Sequence, residues 1–247
     1  MSALRTITFA LCLIVAIPQV KAQTADEIIA KHIDAMGGKA KLQSINTVYW
    51  EGTAVTGNGM ELEFKNWRAK DKLFRQEISF GMGNIVMIVT PTNGWASNPR
   101  SGGEFKPLPD EVQKAMRLQL DVPSPLVDYA AKGHKVELLG KDTVGGKTCY
   151  KIKLTPAAGN EVTYYFDTQS YYILREGRKG GGLMGGGGGR RDPNAELNLD
   201  FSDYQKTPDG YFFPFTINTG GVGAKTSITK VEFNKPVDVE KLSKPAN

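Results

Sequence analysis

Two rhythms of apolar residues run along this chain, and they divide it. Near the start of the chain, after its first 22 residues, Ile29, Ile33 and Met36 recur at i, i+4 and i+7, the spacing of one helix face. Thr24 and Glu27 have capping-box spacing, and Gly37-Gly38 supplies a stop, so a helix is predicted between them. From Thr47 onward the period falls to two. Met60, Leu62 and Phe64 alternate with Glu61, Glu63 and Lys65, and Tyr150, Ile152 and Leu154 alternate with Lys151 and Lys153. Val162, Tyr164 and Phe166 repeat the pattern, as do Leu197, Leu199 and Phe201. Such alternation means strands with one wet face. Asn58-Gly59, Gly145-Gly146, Gly159-Asn160 and Pro208-Asp209-Gly210 favour tight reversals between them. Runs bounded by these signals give roughly ten to eleven strands, nearly all joined as hairpins.

One stretch interrupts the meander. From Asp110 to Leu120, Val112, Ala115 and Met116 fall at helical spacing, and Pro123-Ser124-Pro125 precedes a second short helix ending near Gly133. The predicted fold class is mainly β (α+β). It is a curled antiparallel sheet, a half-open barrel, covered by an N-terminal helix and a mid-chain helical pair. A sheet this long cannot stay flat, and its concave face needs a cover. Gly180 to Gly189 lacks the phosphate-loop pattern and a following helix, and reads as a flexible loop between two strands.

The first 22 residues change the picture of where the protein works. Arg5, the apolar run from Ile7 to Ile17, and Val20-Lys21-Ala22 form the three parts of an export signal. The apolar run is too short to span a bilayer, and Cys12 lies mid-run, a poor site for lipid attachment. Cleavage is expected between Ala22 and Gln23. That leaves residues 23–247 as one domain, free in the periplasm. Loss of Arg5 and Lys21 takes the net charge from +5 to +3, spread without a basic patch, so no nucleic-acid partner is expected. Cys149 is then a lone cysteine with no histidine nearby in sequence, on the polar face of its strand, and is read as inert.

Candidate chemistry is sparse. G-x-S-x-G, H-E-x-x-H and C-x-x-C are absent from the sequence. His32 is read as a surface or packing residue, and His134 as a strand-end surface residue. No catalytic residue, cofactor or metal is implied, and an enzyme is not expected. What stands out is large apolar side chains on a sheet that has to curl. Aromatics and methionines can line a slot between sheet and helices without committing to one ligand shape. The expected ligand-binding set is Trp50, Leu62, Phe64, Phe74, Met87, Trp95, Met116, Phe166 and Phe201.

Several strings resemble the LolA-like family, the periplasmic carriers of outer-membrane lipoproteins and their relatives. Lys70-Asp71-Lys72-Leu73-Phe74 is similar to the family's basic-x-x-Leu-Phe segment, and Asn93-Gly94-Trp95 leading to Asn98-Pro99 to its Asp-Gly-x-x-x-Trp…Asn-Pro. Tyr165-Phe166-Asp167 resembles the turn before its late hairpins. Val231-Glu232-Phe233-Asn234, with Pro236 and Val237-Asp238, resembles its last strand and exit. The resemblance covers about residues 24 to 244. It implies an apolar cavity for acyl chains, a shuttling role toward the outer membrane, and donor or acceptor membrane proteins as partners. It also implies a strand arginine that latches the lid. That arginine falls at Lys70, which lacks a planar fork, and Arg68 is the nearest guanidinium on the same strand face. Relatives acting as lipid sensors or regulatory scaffolds give the alternative role, and a hydrolase is third.

Overall fold

The computed structural model describes residues 23–57, 59–179, 196–220 and 224–245. The expected export signal and the glycine-rich stretch 180–189 therefore lie outside the described residues.

The N-terminal helix α1 (Ala25–Ala35) forms where its spacing predicts. Thr24 accepts from the Glu27 N–H, and Glu27 accepts in return from the Thr24 N–H, which closes the capping box. Gly37, at φ +117°, turns the chain into a second short helix, α2 (Lys39–Gln43), that the sequence pattern did not announce.

Six strands follow: β1 (Thr47–Val55), β2 (Glu61–Ala69), β3 (Leu73–Phe80), β4 (Gly83–Val89), β5 (Gly94–Ser97) and β6 (Lys106–Pro107). A helical segment, α3 (Asp110–Met116), runs on as a 3-10 turn (Arg117–Leu120) and then as irregular chain to residue 134. Seven more strands complete the sheet: β7 (Lys135–Val144), β8 (Lys147–Thr155), β9 (Val162–Asp167), β10 (Ile173–Lys179), β11 (Glu196–Lys206), β12 (Phe212–Thr219) and β13 (Ala224–Phe233). A last turn of helix, α4 (Val239–Leu242), follows β13.

The described strands form one 13-stranded antiparallel sheet, not ten or eleven. Its order is β6 to β1, then β13 back to β7. The short β5 and β6 leave too few residues for an alternation to register. In β4 the run Ile85–Val89 is apolar at every position, because both of its faces are covered. The seam between β1 and β13 carries a bulge opposite Gly52. A Cβ at that glycine would lie 2.5 Å from the Ser227 carbonyl oxygen, so a hydrogen is all the position admits.

Because β6 and β7 are the two open edges, the segment 108–134 that joins them must cross the mouth of the curl. It is the lid. The expected second helix is absent from it: residues 125–133 form consecutive turns, and Asp128, at φ +53°, leaves the right-handed helical path.

Register fixes what each strand shows the lid. Leu62, Phe64, Asn66 and Arg68 of β2 stand beside Ala54, Gly52, Trp50 and Val48 of β1, and beside Ile78, Gln76 and Phe74 of β3. On the other half, Tyr150, Ile152 and Leu154 of β8 stand beside Phe166, Tyr164 and Val162 of β9. These are the apolar sets the alternation predicts, and they face inward. Leu118 and Leu126 pack on the β8–β9 half together with Ile28 and Ile29 of α1. Leu120, Val112 and Met116 pack on Phe74, Met87 and Val89 of the other half. Adjacent lid residues thus bind opposite halves of the sheet.

The outer face has its own cover. Val237, Val239 and Leu242 of the C-terminal segment lie over Ala69, Leu73, Val86 and Ile88, with Trp95 beside them. Arg75 on that face donates to the Leu242 carbonyl at 3.0 Å and pairs with Glu77 at 2.7 Å.

Candidate functional site

The concave face is unevenly filled. On the α1 half Phe166, Ile152 and Leu154 are fully buried, and on the lid half Phe74, Met87 and Val89 are buried as well. Between them, on β1, β11 and β12, the inward apolar side chains Trp50, Leu199, Phe201, Phe213, Phe215 and Ile217 are only half-buried. Phe201 pairs with Ile217 across β11 and β12, and Trp50 stacks on Phe64 with ring centres 6.5 Å apart. These side chains make a half-covered apolar strip across the middle of the concave face.

The expected ligand-binding residues divide accordingly. Trp50 and Phe201 lie on the strip, and Met116 is a half-buried lid residue facing the β3–β4 half. Leu62 and Phe64, both 6 % exposed, belong to a packed cluster with Ala54 and Ile78. Phe74 and Met87 pack under the lid, and Phe166 packs under α1. Trp95 is not on this face. Its register partner Ile88 points outward, and both lie with Leu73 near the C-terminal segment. Its place next to Gly94, at a parity opposite to Met87 and Val89, is what puts it there. Leu199, Phe213, Phe215 and Ile217 complete the strip and are not in the expected ligand-binding set. The alternation marked Leu199 as apolar, while Pro214 between two phenylalanines masked the strand rhythm of β12.

Arg68 makes the lid contact expected of a strand arginine. Its Nε donates to the Gln119 carbonyl at 2.8 Å and its Nη2 to the Asp121 carbonyl at 3.1 Å. Burial, and then the neighbouring Arg178, pull its pKa down to about 10, so it stays charged at neutral pH. Lys70 does not share this role. It stands one residue beyond β2, its backbone N–H bonds to the Asn46 carbonyl, and its charge opposes that of Lys132 in the lid.

The two histidines are both interior. His32 sits edge-on to Phe166, and its Nδ1 lies 2.9 Å from the Tyr171 carbonyl. A carbonyl only accepts, so Nδ1 carries the proton, and burial pushes the pKa down to about 4. His134 stands at the end of the lid, just before β7, with its side chain 8% exposed, so it is not the expected surface residue. Its Nδ1 accepts from the Ala157 N–H at 3.1 Å, which leaves Nε2–H to donate to Asp121 at 2.7 Å. Asp121 lies at the start of the irregular lid chain, where Lys132 also approaches it at 3.8 Å. Cys149 shares the strand parity of Lys147 and Lys151 yet is fully buried, sealed by Val144, Tyr165 and Leu174, and burial pushes its thiol pKa up. On the outer face, a hollow of about 270 Å³ is lined by Tyr49, Trp67, Lys230, Lys235 and Pro236 among others.

Solved structures share this curled, unclosed antiparallel sheet. A LolA superfamily protein from Nitrosomonas europaea superposes with a TM-score of 0.53 over 90% of this chain and 99% of its own, at 10% identity. The chain has a LolA-like fold. A DUF1329 family protein from Desulfovibrio piger matches equally well, with a TM-score of 0.53 over 88% of this chain and 96% of that one, at 12% identity. No family model and no curated protein sequence matches the chain. Within the LolA-like fold, the meander closed by β1 and β13 makes the concave floor, and 108–134 makes the lid.

Proposed function

We propose that this protein is exported to the periplasm and holds an acyl chain of a lipid or lipoprotein against its concave face, carrying it toward the outer membrane. The observation that supports this is the half-buried strip of Trp50, Leu199, Phe201, Phe213, Phe215 and Ile217 beside a lid that polar contacts hold. Each methylene withdrawn from water contributes about 0.8 kcal/mol, so an acyl chain laid along such a strip is strongly attracted. Release needs a cover that can lift. A lid pinned through carbonyl groups, with leucines reaching both halves of the sheet, is a segment that can open without unfolding the sheet. Donor and acceptor membrane proteins are the partners this role requires.

The test is uptake of a fluorescent fatty acid. Phe201→Glu places a carboxylate on the strip and is expected to reduce uptake at least tenfold. Ser202→Lys, on the exposed opposite face of the same strand, is expected to leave uptake within a factor of two. Equal uptake by wild type and a folded Phe201→Glu protein would remove the strip from the ligand path. Transfer of the bound probe from loaded protein to acceptor vesicles separates a carrier from a sensor, which retains it.

A further inference from the structure

The lid is gripped from both sides of the curl, and the two grips meet on one residue. Gln119 receives Arg68 of β2 on its backbone carbonyl at 2.8 Å. With its amide oxygen turned to the guanidinium, the same Gln119 receives Arg178 Nη1 and Nη2 of β10 at 2.6 and 2.7 Å. Strands β2 and β10 are separated in the sheet by β1, β13, β12 and β11, so only the curl brings the two arginines together.

The charges there do not balance. Arg178 pairs through Nε with Glu176, two residues earlier on the same inward face. Asp121 gives Arg68 only its backbone carbonyl, its carboxylate being turned to His134 and Lys132. Among the described residues Glu176 is the carboxylate bonded to the guanidinium pair; the Asp121 carboxylate also acts on Arg68 but shares its charge with Lys132, which leaves three cations against two carboxylates. Tyr164 faces the same cluster, and its hydroxyl is held neutral because burial raises its pKa. Burial opposes the Arg178 charge, but Glu176 outweighs it and keeps its pKa above the ordinary value. The Arg178 side chain keeps 25% of its surface accessible.

We infer that Arg68 and Arg178 form an anion site for the headgroup of the bound lipid, and that the ligand is an acidic amphiphile bearing a carboxylate or phosphate. Gln119 and the Asp121 carbonyl occupy that site while the lid is closed. The inference rests on the proposed acyl-chain function. Exchange of neutral carbonyls for an anionic oxygen replaces hydrogen bonds with a charge on the donor alone by bidentate ones with charge on both partners, and offsets the positive charge of the pair. Headgroup binding and lid release are then one step, because both use the same donors.

The experiment compares a fluorescent fatty acid with its methyl ester, which has the same chain and no charge, on the full mature protein. Wild type is expected to bind the acid about tenfold more tightly than the ester. In Arg178→Met the acid-to-ester ratio falls to about one, and in Arg178→Lys, which keeps the charge and loses the fork, it takes an intermediate value. Competition with millimolar acetate or inorganic phosphate separates the sources of the anion. Failure of these to displace the acid supports a lipid headgroup, whereas displacement of the acid by phosphate alone would replace the lipid with a free anion. Equal binding of acid and ester by wild type overturns the anion site and leaves the acyl-chain reading standing. Binding of neither overturns both. If Arg178→Met does not fold, the wild-type ratio and the Arg178→Lys value still decide.

Discussion

At the scale of single residues, burial decides which polar groups titrate. His32 reaches Tyr171 across 139 residues of chain, and no local pattern could announce that contact. The sequence shows a histidine on a helix with no second metal ligand in spacing, hence a surface or packing residue, and the structure packs it on Phe166. The consequence is a pH dependence with a definite sign. The native pKa of about 4 lies below the ordinary 6.5, so between those values the unfolded chain binds a proton that the native site refuses. The contribution of His32 is complete above about pH 6.5, declines as pH falls toward 4, and amounts to roughly 3 kcal/mol over that interval. Urea unfolding at pH 7.5 and pH 4.5 checks this. His32→Asn, which keeps a donor for Tyr171 and does not titrate, should lose markedly less stability between the two pH values than wild type. The same loss in both proteins would show that His32 is not the titrating group.

At the scale of elements, the strands with one wet face were legible and the doubly covered ones were not. The inward sets of β2, β8, β9 and β11 follow from alternation alone, because one side meets solvent and the other meets the core. Alternation fails on β4, where Met87 and Val89 face the lid while Val86 and Ile88 face the C-terminal segment. Trp95 was assigned to the wrong face for the same reason: β5 is too short to show a period, and its outer face is as apolar as its inner one. The C-terminal segment is thus a structural strap. Asp238 caps α4 by accepting from the Lys241 N–H, and Leu242 both packs over the outer face and gives its carbonyl to Arg75. Removing residues 236–247 is expected to lower the melting temperature by several degrees, since it uncovers Leu73 and Ile88 and leaves Arg75 with one partner fewer. Fatty-acid uptake should survive, because the strap lies on the face opposite the strip. Leu242→Ala should reproduce part of the loss, about 1–2 kcal/mol for a half-buried leucine. An unchanged melting temperature in the truncated protein would mean that the strap does not hold the outer face.

At the scale of the whole molecule, the chain runs outward from β1 to one edge, crosses by the lid, and returns from the other edge to β13. The lid is therefore continuous with both edges and cannot leave; Leu118, Leu126 and Tyr129 tie it to α1, while Arg68 ties it to the floor by a separate set of polar contacts. Arg68 tests this division. Its two donors to the Gln119 and Asp121 carbonyls are charge-assisted, each worth roughly 1.5–3 kcal/mol. Replacing it with methionine also relieves the burial of an unbalanced charge, which works in the opposite direction. The contacts should win locally, because the carbonyls of Gln119 and Asp121 lose their donor while the gain is shared by the whole cluster. Arg68→Met is expected to speed hydrogen exchange about tenfold at the lid amides of Asp121, Val122 and His134, whose bonds lie within the lid itself. Amides of α1 should keep their protection, since Ile28 and Ile29 pack on Phe166 and Ile152 without contact to Arg68. Arg68→Lys should fall between, having charge without the fork. If protection drops equally in α1, in β8 and in the lid, the lid is not an independent opening unit. A ligand could then reach the strip only by loosening the whole sheet.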